Sequence, residues 1–187
     1  EGAGAPVIDN PDPSGVNTSA RVASYTKPAG SEIWAGTTIG LDEPIDFSSN
    51  KYISVDVWSP AAGTPVIFKV ENLDNADLFI ESTVETTVSN AWETLTFDMS
   101  AVDPTIDYGR LVLFFNYGTP GNDETYYFDN IQTTTLEPLK LPINFESENL
   151  TYAWGGFGGA GAGVIDNPDM SGINTSAKVT ELSKGDG

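Results

Sequence analysis

The 187-residue chain contains no cysteine and no histidine. Thiol nucleophiles, disulfide scaffolds, Ser-His triads, zinc fingers and c-type haem attachment each need one of those side chains, so all are excluded. Basic residues are scarce: 8 Lys and Arg stand against 27 Asp and Glu, a net charge of −19. Binding to nucleic acid needs clustered positive charge to displace counterions, and an anionic membrane surface repels such a chain. No apolar run approaches the roughly 20 residues of a membrane span, so no membrane insertion is expected. Any metal chemistry must run through oxygen ligands and a hard cation. The acidity has a plain reading too, as the charge that keeps an extracellular protein soluble.

What is present is enough for a core, with 39% hydrophobic residues and 11% aromatics. The strongest organisational feature is a duplication. Gly2–Val22 and Gly159–Val179 match at an offset of 157 residues, differing only at Pro6/Gly163, Pro13/Met170, Val16/Ile173 and Arg21/Lys178. A period this long makes each repeat a whole domain. The expected organisation is a first repeat over 1–135 that lacks its opening strand, a linker over 136–142, and the beginning of a second tandem copy over 143–187. The opening pattern of the second copy, 143–157, is expected to complete the first sheet through Ile143–Glu146, within the chain or by a strand swap with a neighbour.

Apolar residues recur at period two and no helical period is sustained. Strands are expected at Ala20–Tyr25, Ile33–Leu41, Lys51–Trp58, Pro65–Asn72, Leu78–Val88, Glu93–Asp98, Arg110–Tyr117 and Thr125–Thr133, with two more at Ile143–Glu146 and Tyr152–Phe157. Proline- and glycine-rich turns separate them, at Lys27–Gly30, Ser59–Gly63 and Gly118–Gly121. Many short strands at this spacing predict an all-β, antiparallel β-sandwich.

The order of motifs carries a resemblance. An opening strand holds Phe145-Glu146, and a loop holds Asn-Pro-Asp and Gly-x-Asn-Thr-Ser. Then come Val57-Trp58-Ser59-Pro60, Lys69-Val-Glu71-Asn72, Asn90-Ala-Trp92, and a closing Tyr127-Phe128-Asp129-Asn130-Ile131. This resembles the jelly-roll, galactose-binding-like carbohydrate-binding modules of secreted Bacteroidetes glycan-utilisation proteins. The resemblance implies a jelly roll, a structural Ca2+, an extracellular or cell-surface setting, and a non-catalytic role in binding polysaccharide, with a β-glucan such as laminarin favoured. It also implies acidic calcium ligands near the first and last strands. Here those are Glu146 and Asp129, with loop oxygens from Asp12 to Asn17 or from the copy at Asp169 to Asn174. A turn held by Asx hydrogen bonds is the alternative reading of Asn-Pro-Asp.

Sugar receptors set flat aromatics beside carboxylates, amides and amines, because sugars offer apolar C–H faces and hydroxyl edges. Alternation puts Asp56 and Trp58 on one face of their strand and Lys69 and Glu71 outward on theirs. With Asn116, a face carrying these five is expected to make a groove, provided the strands are neighbours. Trp34 reads equally as a platform or as a core residue, and Tyr117 is a candidate loop-borne contact. The competing reading is a solvated face with its tryptophan covered, in a calcium-stiffened extender repeat of an adhesin whose partners are neighbouring repeats. A covered Trp58 and Trp34 would favour the extender, whereas an exposed ring favours a binder. Asp56 and Glu71 could imitate a glycosidase pair, but paired acids are common in so acidic a chain and no enzyme is expected.

Overall fold

The computed structural model describes residues 4–135, 143–146, 150, 152 and 154–184. The chain divides into two compact units, Glu1–Thr135 and Leu136–Gly187. The linker expected at 136–142 lies outside the described residues. Regular structure among the described residues is all strand, and no helix is long and apolar enough to cross a membrane.

The first unit holds β1 (Val7–Asp9), β2 (Arg21–Lys27), β3 (Gly36–Gly40), β4 (Tyr52–Ser59), β5 (Pro65–Asn72), β6 (Phe79–Glu85), β7 (Ala91–Asp98), β8 (Tyr108–Phe115) and β9 (Glu124–Thr134). They form a five-stranded sheet in the order β1-β2-β9-β4-β7 and a four-stranded sheet in the order β3-β8-β5-β6. All pairs are antiparallel. The chain crosses between sheets at nearly every turn, which is the jelly-roll course. The alternation visible in the sequence decides which side chains meet inside. Ile53, Val55 and Val57 of β4 and Leu95 and Phe97 of β7 join Val66, Phe68 and Val70 of β5 in one core. Phe115 stacks on Tyr126 at 4.8 Å and lies 5.8 Å from both Tyr25 and Phe128, tying β8 to β2 and β9.

Several strand boundaries move for local reasons. The strand expected from Ile33 begins at Gly36, because the Ala35 N–H closes a turn on the Glu32 carbonyl at 2.9 Å. The strand expected to reach Tyr117 stops at Phe115, because Asn116 adopts a left-handed φ of 51°. The alternation signal misses β1, which is three residues long amid prolines and acids and is held by pairing to β2.

The second unit contains a hairpin of β10 (Ala160–Asp166) and β11 (Lys178–Lys184). Its register repeats that of β1 and β2: Val164↔Thr180, Ile165↔Val179 and Asp166↔Lys178 correspond to Val7↔Ala23, Ile8↔Val22 and Asp9↔Arg21. The connecting loops are built alike. Asn10 accepts from the Asp12 N–H and donates to the Ser19 carbonyl, and Asn167 does the same with Asp169 and Ser176. The strands expected at Ile143–Glu146 and Tyr152–Phe157 do not form among their described residues. Phe145 takes a φ of 60° there, which interrupts an extended run.

Candidate functional site

β2 ends in Lys27, a fully buried lysine. Its ammonium is tolerated because it donates to three backbone carbonyls: Asn116 at 2.9 Å, Phe115 at 3.2 Å and Ile33 at 3.3 Å. Burial pushes its pKa down, and the nearby Glu124 charge opposes that shift. The ammonium thereby bridges the β2–β3 loop to the β8–β9 loop. Backbone bonds stitch the same two loops: Gly118 N–H to the Ile33 carbonyl at 3.1 Å, and Gly30 N–H to the Gly121 carbonyl at 2.8 Å. Gly121 is required by close approach, since a Cβ there would collide with the Pro28 carbonyl. Each loop presents one aromatic next to this seam. Trp34 is 59% exposed and Tyr117 is 43% exposed, the latter set edge-on to Phe114 at 5.7 Å. Two exposed rings thus sit on loops that are locked to each other.

The outer face of the four-stranded sheet carries the main charge network. Glu71 is buried between Lys69 and Arg110, with an N···O distance of 2.8 Å to each. Burial alone would raise its pKa, but the hydrogen bonds from Lys69 and Arg110 outweigh it and hold the carboxyl below its ordinary range. Lys69 also lies over the exposed Phe79 ring, 4.1 Å from its centroid.

The expected groove of Asp56, Trp58, Lys69, Glu71 and Asn116 is not assembled. β4 belongs to the five-stranded sheet and β5 to the four-stranded one, so Asp56 and Trp58 face away from Lys69 and Glu71. Asp56 is buried and accepts from Thr94 Oγ1 at 2.6 Å and Asn130 Nδ2 at 2.7 Å, a role in joining strands. Trp58 is half-buried against Tyr127 at 5.2 Å, and its indole N–H has no partner among the described residues. Asn116 serves through its carbonyl, which holds Lys27. Asp56 and Glu71 therefore cannot flank one glycosidic bond, because they project from opposite faces of the sandwich. Lys27 is the site residue that sequence reading missed. The available signal was a lysine at the end of a strand, immediately before a Pro-Ala-Gly turn.

Of the candidate metal ligands in the first unit, Asn17 and Asp129 meet, while Asp12 is engaged within its own loop. Asn17 is fully buried and donates to Asp129 Oδ2 at 3.1 Å, while its own Oδ1 accepts from the Ser19 N–H at 2.9 Å. Asp12 turns its carboxylate to Ser14 Oγ at 2.7 Å, and its carbonyl accepts from Trp92 Nε1 at 2.7 Å. That is the geometry of an Asx-type turn capped by a structural tryptophan. Glu146 belongs to the second unit, where it accepts from the Lys178 N–H at 3.1 Å. Among the described residues no three acidic side chains converge as a metal site.

No family model matches the chain, and no curated protein matches it. Solved structures do. An exo-β-agarase matches with a TM-score of 0.53 at 11% identity, over 73% of this chain and 23% of the agarase. The family 30 carbohydrate-binding module of a cellulosomal cellulase from Clostridium thermocellum matches at 0.48 and 18% identity, over 72% of this chain and 83% of the module. The family 11 module from Clostridium thermocellum, solved with a β-1,3-1,4-mixed-linked tetrasaccharide, matches at 0.45 and 17% identity, over 72% and 85%. At these identities the likeness is one of β-sandwich architecture.

Proposed function

We propose that the chain is a non-catalytic glycan-binding module of a secreted or cell-surface protein, and that Trp34 and Tyr117 contact the sugar. The observation that carries this reading is the pair of exposed aromatics on loops clamped by the buried Lys27 ammonium. An extender repeat has no use for two exposed rings on loops tied to each other, whereas a sugar receptor stacks on such rings. Laminarin-like β-glucan is the ligand class favoured by the motif resemblance. Affinity electrophoresis against laminarin and a panel of plant and algal glucans tests the proposal. Trp34→Ala or Tyr117→Ala is expected to weaken retention about tenfold or more, a loss of about 1.4 kcal/mol, with the melting temperature unchanged. Retention by both variants equal to that of the parent would show that the platform is elsewhere.

We also propose a structural Ca2+ in this protein, with Asp129 among its side-chain ligands and Asn17 beside it at 3.1 Å. An ion that binds the folded state adds RT ln(1 + [L]/Kd) to stability. Excess chelator should therefore lower the melting temperature. An unchanged curve, with no metal found by elemental analysis, would remove the ion from the account.

A further inference from the structure

Two adjoining clefts of about 400 and 310 Å³ share Ile39 and Ile131 as walls and lie between β3 and the second half of β9. Their lining is largely apolar, and Val7 and Ile39 are each 58% exposed there. The backbone beside them is open too. β9 pairs with β2 through Glu124–Phe128, but from Asp129 to Thr134 its partner among the described residues is β4 alone. β3 is likewise the edge of its sheet. An apolar gap flanked by an unpaired strand edge is a template for an added strand, whose backbone bonds to the edge while alternate side chains fill the gap.

We propose that this cleft receives the Ile143–Glu146 strand of a second copy of the chain. When that segment is extended, Ile143 and Phe145 project to one side and Asn144 and Glu146 to the other, the alternation an inter-sheet gap needs. In its own unit the segment is not extended. Phe145 is held at a φ of 60°, a region that bulky residues adopt only under strain, and pairing along β9 relieves it. The acid also has a place to go. Glu146 accepts from the Lys178 N–H in the second unit; the repeat puts Arg21 at the equivalent position of the first, and Arg21 lines the cleft. Donor strand and acceptor cleft are different patches, so exchange in both directions closes a twofold pair.

The test is complementation between two full-length variants, read by light scattering on a sizing column and by hydrogen exchange. Phe145→Ser weakens the donor strand and leaves the cleft intact. Ile39→Glu spoils the cleft, at an exposed position, and leaves the strand intact. Wild type is expected to show a concentration-dependent rise from monomer to dimer mass, with slowed amide exchange between Asn130 and Thr134. Each variant alone should stay monomeric while keeping the wild-type melting temperature, and their mixture should recover a heterodimer. A mixture that stays monomeric overturns the proposal. So does a wild type that is monomeric at every concentration, including one whose amides between Asn130 and Thr134 are protected by its own strand.

Discussion

Lys27 shows how one side chain can set the geometry of a surface. A buried cation is costly, and three carbonyls placed around it make the cost bearable while joining two loops that share no strand pairing. Beside it lies a second perturbed group. Burial, then the Glu124 charge and Tyr25, push the Tyr126 hydroxyl up to about 12, from an ordinary value near 10. The sign follows from which state holds the proton. Between pH 10 and about 12 the unfolded chain has lost this proton and the folded chain keeps it, so stability is full below pH 10 and falls as pH rises toward 12. Tyr126→Phe is expected to flatten that alkaline decline in melting temperature. An equally steep decline in the variant would assign it to other groups. At this scale the sequence was partly legible. Tyr117 stood out as an aromatic before a Gly-Thr-Pro-Gly turn, whereas Trp34 was expected inside a strand and lies exposed on a loop instead. Asp56 and Glu71 did not sort correctly, because period two tells which face of a strand a residue occupies but not which sheet the strand joins.

The β1–β2 and β10–β11 hairpins are one sequence in two surroundings, which separates what a local segment dictates from what packing adds. Register, Asx bonds and the left-handed glycines at 15 and 172 recur in both, so these are properties of the segment itself. Packing differs. Asn17 is buried and bonded to Asp129 and Ser19, whereas Asn174 is exposed and accepts from the Ser176 N–H within its own loop. Asn17→Ala should therefore cost about 1–3 kcal/mol, the penalty of leaving buried polar partners unsatisfied. Asn174→Ala should stay within about 0.5 kcal/mol, as surface changes do. Thermal unfolding of the two variants makes the comparison, and similar losses would show that Asn17 acts only within its loop. The eight strands anticipated in the first unit were legible because alternation and turn residues agreed. β1 was not, since three residues give no period and its existence depends on β2.

Charge dominates at the scale of the whole molecule. At −19, two copies repel one another, and the repulsion acts over about 30 Å in 0.01 M salt but only about 8 Å at 0.15 M. Strand donation between copies works against that field, while its attractive part is apolar burial and backbone pairing, which salt does not weaken. The two contributions therefore predict a direction. If Ile143–Glu146 inserts between β3 and β9 of a second copy, the dimer fraction at fixed protein concentration should rise as NaCl goes from about 0.01 M to about 0.15 M. Phe145→Ser should remain monomeric at both. An association driven by ion pairs such as Glu146 with Arg21 would run the other way, because screening weakens exposed pairs. Light scattering at the two salt concentrations distinguishes the cases, and a dimer that dissolves as salt is added would leave the apolar cleft without a part in the assembly.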